Sequence, residues 1–200
     1  IDASTITIEV NLAQGINFFL VGLPDSAVKE SQQRIKAAFS NNDYRFPGKE
    51  ITINMAPADV RKEGSVFDLP MAIGILASSD QIPNDKLQDY VILGELSLDG
   101  KLNPLKGVLP IALNAKKDCF KGIVLPKENA KEAAMVEGLN VYPVEHLKEV
   151  VEFFKGEKKI EPYSIDIKQF FNQAVQESDI DFKDVKGQLA IKRAFEIAAA

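Results

Sequence analysis

The sequence is short of the residues that build disulfide-held or metal-held folds. It has one cysteine, Cys119, and one histidine, His146. A single cysteine excludes an internal disulfide and a Cys-based zinc site, and it points to a reducing cytoplasm. Cys119 has no CxxC partner and is expected as a small core or near-surface residue. A single histidine excludes a His-rich metal site, and His146 is expected as a partly exposed helix residue. No apolar run reaches the roughly 18 residues that a bilayer span needs. There is no basic stretch leading into an apolar one, no internal repeat and no low-complexity tract. Positive charge is in deficit: 24 Lys and Arg against 29 Asp and Glu leave a net charge of −5. This argues against wide, non-specific contact with phosphate backbones by this stretch of chain.

What is present is a globular composition, 46% apolar over 200 residues. That length holds one good core, or one domain and a piece of another. Ile6, Ile8 and Val10 alternate with polar residues, so Thr5–Asn11 reads as a strand, and Asn17–Leu23 as a second. Asp25 or Ser26 caps a helix whose buried stripe is Val28, Ile35, Ala38 and Phe39, ending at Asn41–Asp43. Glu50–Met55 reads as a third strand. A loop over 56–66 leads to a nearly all-apolar helix, Phe67–Ser79, with Pro70 in its first turn. Val91–Leu98 reads as a strand, turned by a type I′ hairpin at Asp99-Gly100 into Lys101–Leu105. Helices at Val108–Lys117, Glu128–Val136 and Glu145–Phe154 alternate with short strands at Gly122–Leu125 and Asn140–Tyr142. Hairpins mixed with strand–helix–strand units indicate an α+β fold, an α/β two-layer sandwich with a mixed sheet. The charged, aperiodic stretch 156–166 reads as a linker between a domain at 1–155 and the beginning of another at 167–200. The latter holds an expected short helix, Gln169–Gln176, an acidic patch, Glu177–Asp184, and an apolar-faced helix running into Ala200. That helix has no stop signal, so the pattern reads as a domain opened and not completed.

Three segments carry a resemblance. VGLPDSAVKESQQRIKAA at 21–38, ITINMAPADVRKEGSVFDLPMAIGILA at 51–77 and GELSLDGKLNPLKGVLPIA at 94–112 resemble the N-terminal domain of the YifB/ComM family of magnesium-chelatase-like AAA+ ATPases. The resemblance implies a Lon-peptidase-like domain on the ribosomal-protein-S-five domain-two-like fold, followed by an AAA+ ATPase domain. It also implies a parent that forms a ring, expected to be a hexamer, uses ATP and Mg²⁺, and acts on DNA in branch migration during natural transformation. Phe182, Asp184, Val185, Gly187 and Gln188, followed by Lys192-Arg193-Ala194, resemble the lead-in to the AAA+ module. In that context Val185, Gly187 and Gln188 would lie on the adenine side of a bound nucleotide; the plainer reading is an ordinary helix N-terminus. The GxxxxGK[ST] loop that cradles phosphates is not among the 200 residues, so no cofactor is expected on this stretch alone.

Lon-type peptidases use a Ser–Lys dyad, with the lysine taking the serine proton. By resemblance, the serine position falls on Val66 in the run Lys62-Glu63-Gly64-Ser65-Val66-Phe67-Asp68, and the lysine position on Leu109. No catalytic residue is therefore expected. A shift to Ser65, with Lys101 or Lys106 as base, would re-aim the side chain, and the plainer role for Ser65 is to cap the following helix. Asp59, Arg61, Lys62, Glu63 and Asp68 are expected as an interface to the ATPase ring or a neighbouring subunit. The plainer reading is a solvated loop with ion pairs of at most about 1 kcal/mol each. Arg61 and Lys62 would compete with any cation there, so no metal is expected. Asp25–Lys29 and Glu30–Arg34 are spaced as i,i+4 pairs on an exposed face. Phe18, Phe19, Phe153 and Phe154 read as core. Two other functions stay open: a subunit of a true magnesium chelatase, and a protein-interaction adaptor.

Overall fold

The computed structural model describes residues 3–165 and 185–199. The expected helix Gln169–Gln176, the acidic patch Glu177–Asp184 and Phe182 lie outside them. The chain divides into two compact units, 1–164 and 165–200.

The first unit begins with β1 (Thr7–Ala13) and β2 (Phe18–Val21), then α1 (Ser26–Asn41) and β3 (Glu50–Ala56). β3 lies between β1 and β2, antiparallel to β1 and parallel to β2, which makes this sheet mixed. Asp25 caps α1 by accepting from the Val28 N–H at 2.8 Å, and Val28, Ile35, Ala38 and Phe39 are fully buried. Alternate residues of β3, Ile51, Ile53 and Met55, enter the same core. α2 (Asp68–Ser78) is buried through Leu69, Met71, Ala72, Ile73, Ile75 and Leu76.

The strand expected over Val91–Leu98 is two strands in two sheets. β4 (Tyr90–Ile92) is parallel to β7 (Gly122–Pro126), whereas β5 (Glu95–Leu96) pairs with β6 (Leu102–Asn103). The partners change at Leu93 and Gly94. Leu93 N–H donates to Val124 C=O, but Gly94 donates to Val66 C=O and accepts from Leu69 N–H. A Cβ on Gly94 would lie 2.8 Å from Leu102 Cδ2 and 3.0 Å from Leu69 Cβ, so glycine lets the chain cross this close to both leucines. The turn from β5 to β6 also differs from the expected I′ type. Gly100 N–H donates to Ser97 C=O, Ser97 N–H donates to Lys101 C=O, and of the two turn residues only Gly100 (φ +93°) is left-handed. This is a three-residue loop with a glycine bulge.

α3 (Val108–Lys117) crosses from the hairpin to β7, and α4 (Ala130–Ala133) from β7 to β8 (Asn140–Val144), which lies parallel to β7. The helix expected over Glu128–Val136 is reduced to α4 after a 3₁₀ turn at Lys127–Asn129. The Asn129 amide instead bonds both backbone groups of Leu105, each at 2.8 Å. α5 (Leu147–Lys155) follows. His146 caps it, accepting from Lys148 N–H at 3.1 Å, so it precedes the helix it was expected to sit within. Gly156 ends α5 in the left-handed conformation, and Tyr163 of the expected linker donates its N–H to Val141 C=O.

Two apolar clusters hold the unit together, one around α1, α2, β3 and α5, the other around α3, β7 and α4. Phe18 stacks on Phe46, and Phe153 and Phe154 meet Tyr90, whereas Phe19 is exposed. Cys119 is exposed as well. In the second unit, α6 (Leu189–Ala199) follows Gly187 and Gln188, both left-handed. Among the described residues no helix is long and apolar enough to cross a membrane.

Candidate functional site

The loop ahead of α2 and the first turn of α3 bring Val66 and Leu109 onto one apolar cluster. The Leu109 N–H is taken by Glu132 Oε1 at 2.9 Å, and the Val66 carbonyl by Gly94. Hydrocarbon at both positions can neither attack a carbonyl nor accept a proton.

Ser65 does not cap α2, which has Phe67 at its N-cap and no side-chain cap bond. Its hydroxyl donates to Glu95 Oε2. The other Glu95 oxygen accepts from Asn103 Nδ2 at 2.8 Å, and Ser97 donates to Asn103 Oδ1 at 3.1 Å. The Ser65 hydroxyl first, then the Asn103 amide, and behind them the Arg34 charge, hold the Glu95 carboxyl below its ordinary value against the opposing effect of burial. A carboxylate so satisfied is a weak base near neutral pH. Lys101 pairs with Asp99 at 3.4 Å, and Lys106 is exposed.

Beneath this network lies a bidentate ion pair. Arg34 Nε and Nη2 donate to Asp68 Oδ2 and Oδ1 at 2.6 and 2.9 Å, and Leu96 N–H donates to Asp68 Oδ2 at 3.1 Å. Arg34 also donates to Ala27 C=O at 2.9 Å and lies 3.7 Å from Glu30. The hydrogen bond to Asp68 raises the Arg34 pKa further. The Glu30–Arg34 pair thus exists, but Arg34 turns inward from the expected solvated face. Asp25 caps α1 and bonds Gly64 N–H at 3.2 Å, with these backbone donors holding its carboxyl low, and no ion pair to Lys29 forms.

The five charged residues of the expected interface separate. Asp59, Arg61 and Glu63 are exposed, and Arg61 pairs with Glu63 at 3.0 Å. Lys62 and Asp68 are buried, so neither side chain is free for a partner. Lys62 Nζ donates to Pro57 C=O, while its backbone accepts from Asp25 N–H and donates to Leu23 C=O. These bonds place Leu23 beside the loop. It is 57% exposed, with φ +57°, a conformation costly for a leucine and found at functional positions. In the second unit Val185 is exposed and Lys192 N–H bonds Gln188 C=O at 3.0 Å. Among the described residues no group of three or more His, Cys, Asp or Glu could hold a metal ion.

A cleft of about 570 Å³ opens beside Val66. Neither this cleft nor the Arg34–Asp68 pair is foreseen from sequence. One signal was available for the pair: Asp68 is the lone charge in an apolar helix, and a buried charge needs a partner.

The profile of the family described as subunit ChlI of Mg-chelatase matches residues 8–129. Competence protein ComM of Haemophilus influenzae is 41% identical over 201 residues, covering 100% of this chain and 39% of ComM. Protein YifB of Escherichia coli is 39% identical, covering 100% of this chain and 38% of YifB. Lon protease of Brevibacillus choshinensis is 29% identical over 160 residues, 74% of this chain. The chain therefore spans about two fifths of the length of ComM and YifB.

Proposed function

We propose a function from one premise: the chain belongs to the family of subunit ChlI of Mg-chelatase. In this reading residues 1–155 are a Lon-peptidase-like domain that keeps the scaffold without the chemistry, since fold does not dictate function. Residues 156–166 link it to 167–200, the opening of an AAA+ ATPase domain, where Val185, Gly187 and Gln188 approach the adenine. The parent is a cytoplasmic ATPase that uses ATP and Mg²⁺, assembles as a ring of six copies, and drives DNA processing. The likeness to a competence protein supports that last step. The exposed Asp59, Arg61 and Glu63, with Leu23, form the contact to the ATPase ring.

The observation that carries the loss of peptidase chemistry is the pairing of Val66 and Leu109 in one apolar cluster. Beside it, the Ser65 proton is directed at an ionised Glu95. Fluorogenic peptides offered to the full-length parent and to its Ser65→Ala variant test this. No hydrolysis above a blank is expected from either. Turnover by the parent that disappears in the variant would restore Ser65 as a nucleophile.

The family's own description favours a second reading, a magnesium-chelatase subunit. ATP hydrolysis stimulated by a porphyrin with a partner subunit, and indifferent to DNA, would select it.

A further inference from the structure

His146 is the single histidine of the chain, and both of its ring nitrogens are engaged. It stands in extended backbone (φ −149°, ψ 146°) as the N-cap of α5, where the preferred residues are Asn, Asp, Ser and Thr. Those side chains accept a hydrogen bond throughout the neutral pH range. An imidazole accepts only while one of its nitrogens is bare.

The partners assign the tautomer. The Lys148 N–H can only donate, so Nδ1, 3.1 Å away, is the bare nitrogen. The ring proton is then on Nε2, which donates to Asp99 C=O at 3.1 Å. Gly100 leaves room for the ring, since a Cβ there would lie 2.9 Å from Cε1 and 3.2 Å from Nε2. The turn between β5 and β6 is held by other bonds as well. Leu147 N–H donates to Gly100 C=O at 2.8 Å, Leu102 N–H to Glu145 C=O at 2.9 Å, and Asn42 Nδ2 to Asp99 C=O at 2.8 Å. The ring thus bridges a turn that is fixed without it and a helix end that it caps.

We infer that His146 is a proton-operated cap, which holds the first turn of α5 while the ring is neutral and releases it when the ring is charged. Protonation adds a hydrogen at Nδ1, so N–H faces N–H and the cap bond is lost. The bond from Nε2–H to Asp99 C=O survives, because that nitrogen donates in both states. The proton therefore acts on the helix and leaves the turn in place. His146 is only partly buried, so a proton can reach it. The positive end of the helix dipole opposes a charge on the ring. Of the charged side chains around it, Asp99 and Lys101 belong to the turn, and Glu145, Lys148 and Glu149 to the start of α5. Each of these acids already has a lysine: Asp99 has Lys101 at 3.4 Å, Glu145 has Lys127, and Glu149 has Lys158 at 2.7 Å. Lys101 dominates what holds the Asp99 carboxyl low, and the charge on His146 is the last contributor. The inference does not depend on the ATPase or DNA readings.

Nuclear magnetic resonance on the 200-residue chain tests it. Nitrogen shifts of the single imidazole give the tautomer and the charged fraction at each pH, and hydrogen exchange gives the protection of the Lys148 amide. The neutral ring is expected to carry its proton on Nε2. Lys148 protection, corrected for the intrinsic pH dependence of exchange, is expected to fall at least about fivefold as the ring charges, while Leu102 protection holds. In His146→Asn, whose side-chain oxygen accepts at every pH, Lys148 protection is expected to stay level over the same range. Four results would each overturn the assignment: a neutral ring protonated on Nδ1, Lys148 protection that ignores the charging of the ring, an equal fall in the Asn variant, or a ring that stays neutral until the unit unfolds.

Discussion

At the scale of single residues, the strongest local commitment is the Arg34–Asp68 pair. Asp68 is fully buried and Arg34 only 21% exposed, so removing one partner strands the other in a poorly solvated site. Asp68→Ala is expected to destabilise the unit by about 3 kcal/mol, read from urea unfolding. Replacing both, as Arg34→Met with Asp68→Leu, is expected to recover much of that loss, because breaking the pair costs more than the pair is worth. Glu95 gives a pH signature. Its folded-state pKa lies below the ordinary value of 4.5, so its contribution is complete above that value and is lost as the pH falls through the lower folded value. The stability gap between wild type and Glu95→Gln is therefore expected to be constant near neutral pH and to shrink below pH 4.5 in a series of urea midpoints.

At the scale of elements, the β5–β6 turn shows how one backbone position can fix a hairpin. Gly100 has φ +93°, and a Cβ there would lie 2.6 Å from Asn42 Nδ2 and 2.9 Å from His146 Cε1. Gly100→Ala is expected to lower stability by about 2 kcal/mol, whereas Gly48→Ala, where a Cβ meets nothing within 4 Å, is expected to be near neutral by thermal unfolding. Sequence periodicity located the elements whose fate is local. The apolar stripe of α1, the alternation of β3 and the limits of α3 were legible because helix and strand periods decide them. The division of 91–98 between two sheets was not, because it depends on Val66, Leu69 and Val124, all distant in sequence. The candidate site followed the same rule. Val66 and Leu109 as the positions of the dyad came from the resemblance to Lon-type peptidases, and their apolar character needs only the letters. The inward turn of Lys62 and Asp68 required knowing where Pro57 and Arg34 stand.

At the scale of the whole molecule, the proposed contact to the ATPase ring rests on the exposed residues around the Lys62 loop. Exposed Leu23 is bonded through its carbonyl to Lys62 N–H, between the exposed charges Arg61 and Glu63, and an apolar residue among charges is a combination found at protein interfaces. Arg61 pairs with Glu63 at the exposed surface and its charge adds to what holds the Asp25 carboxyl low, both weak solvent-screened effects, so removing the three charges is expected to leave folding stability within about 0.5 kcal/mol. They therefore separate coupling from folding. The most direct test is ATP hydrolysis by the full-length parent with and without branched DNA, beside its Asp59→Ala, Arg61→Ala, Glu63→Ala variant. A coupling domain in a DNA-driven ring predicts that DNA raises turnover in the wild type and that the variant loses this rise. Turnover of the wild type that ignores DNA, or a variant that keeps the full rise, would contradict it.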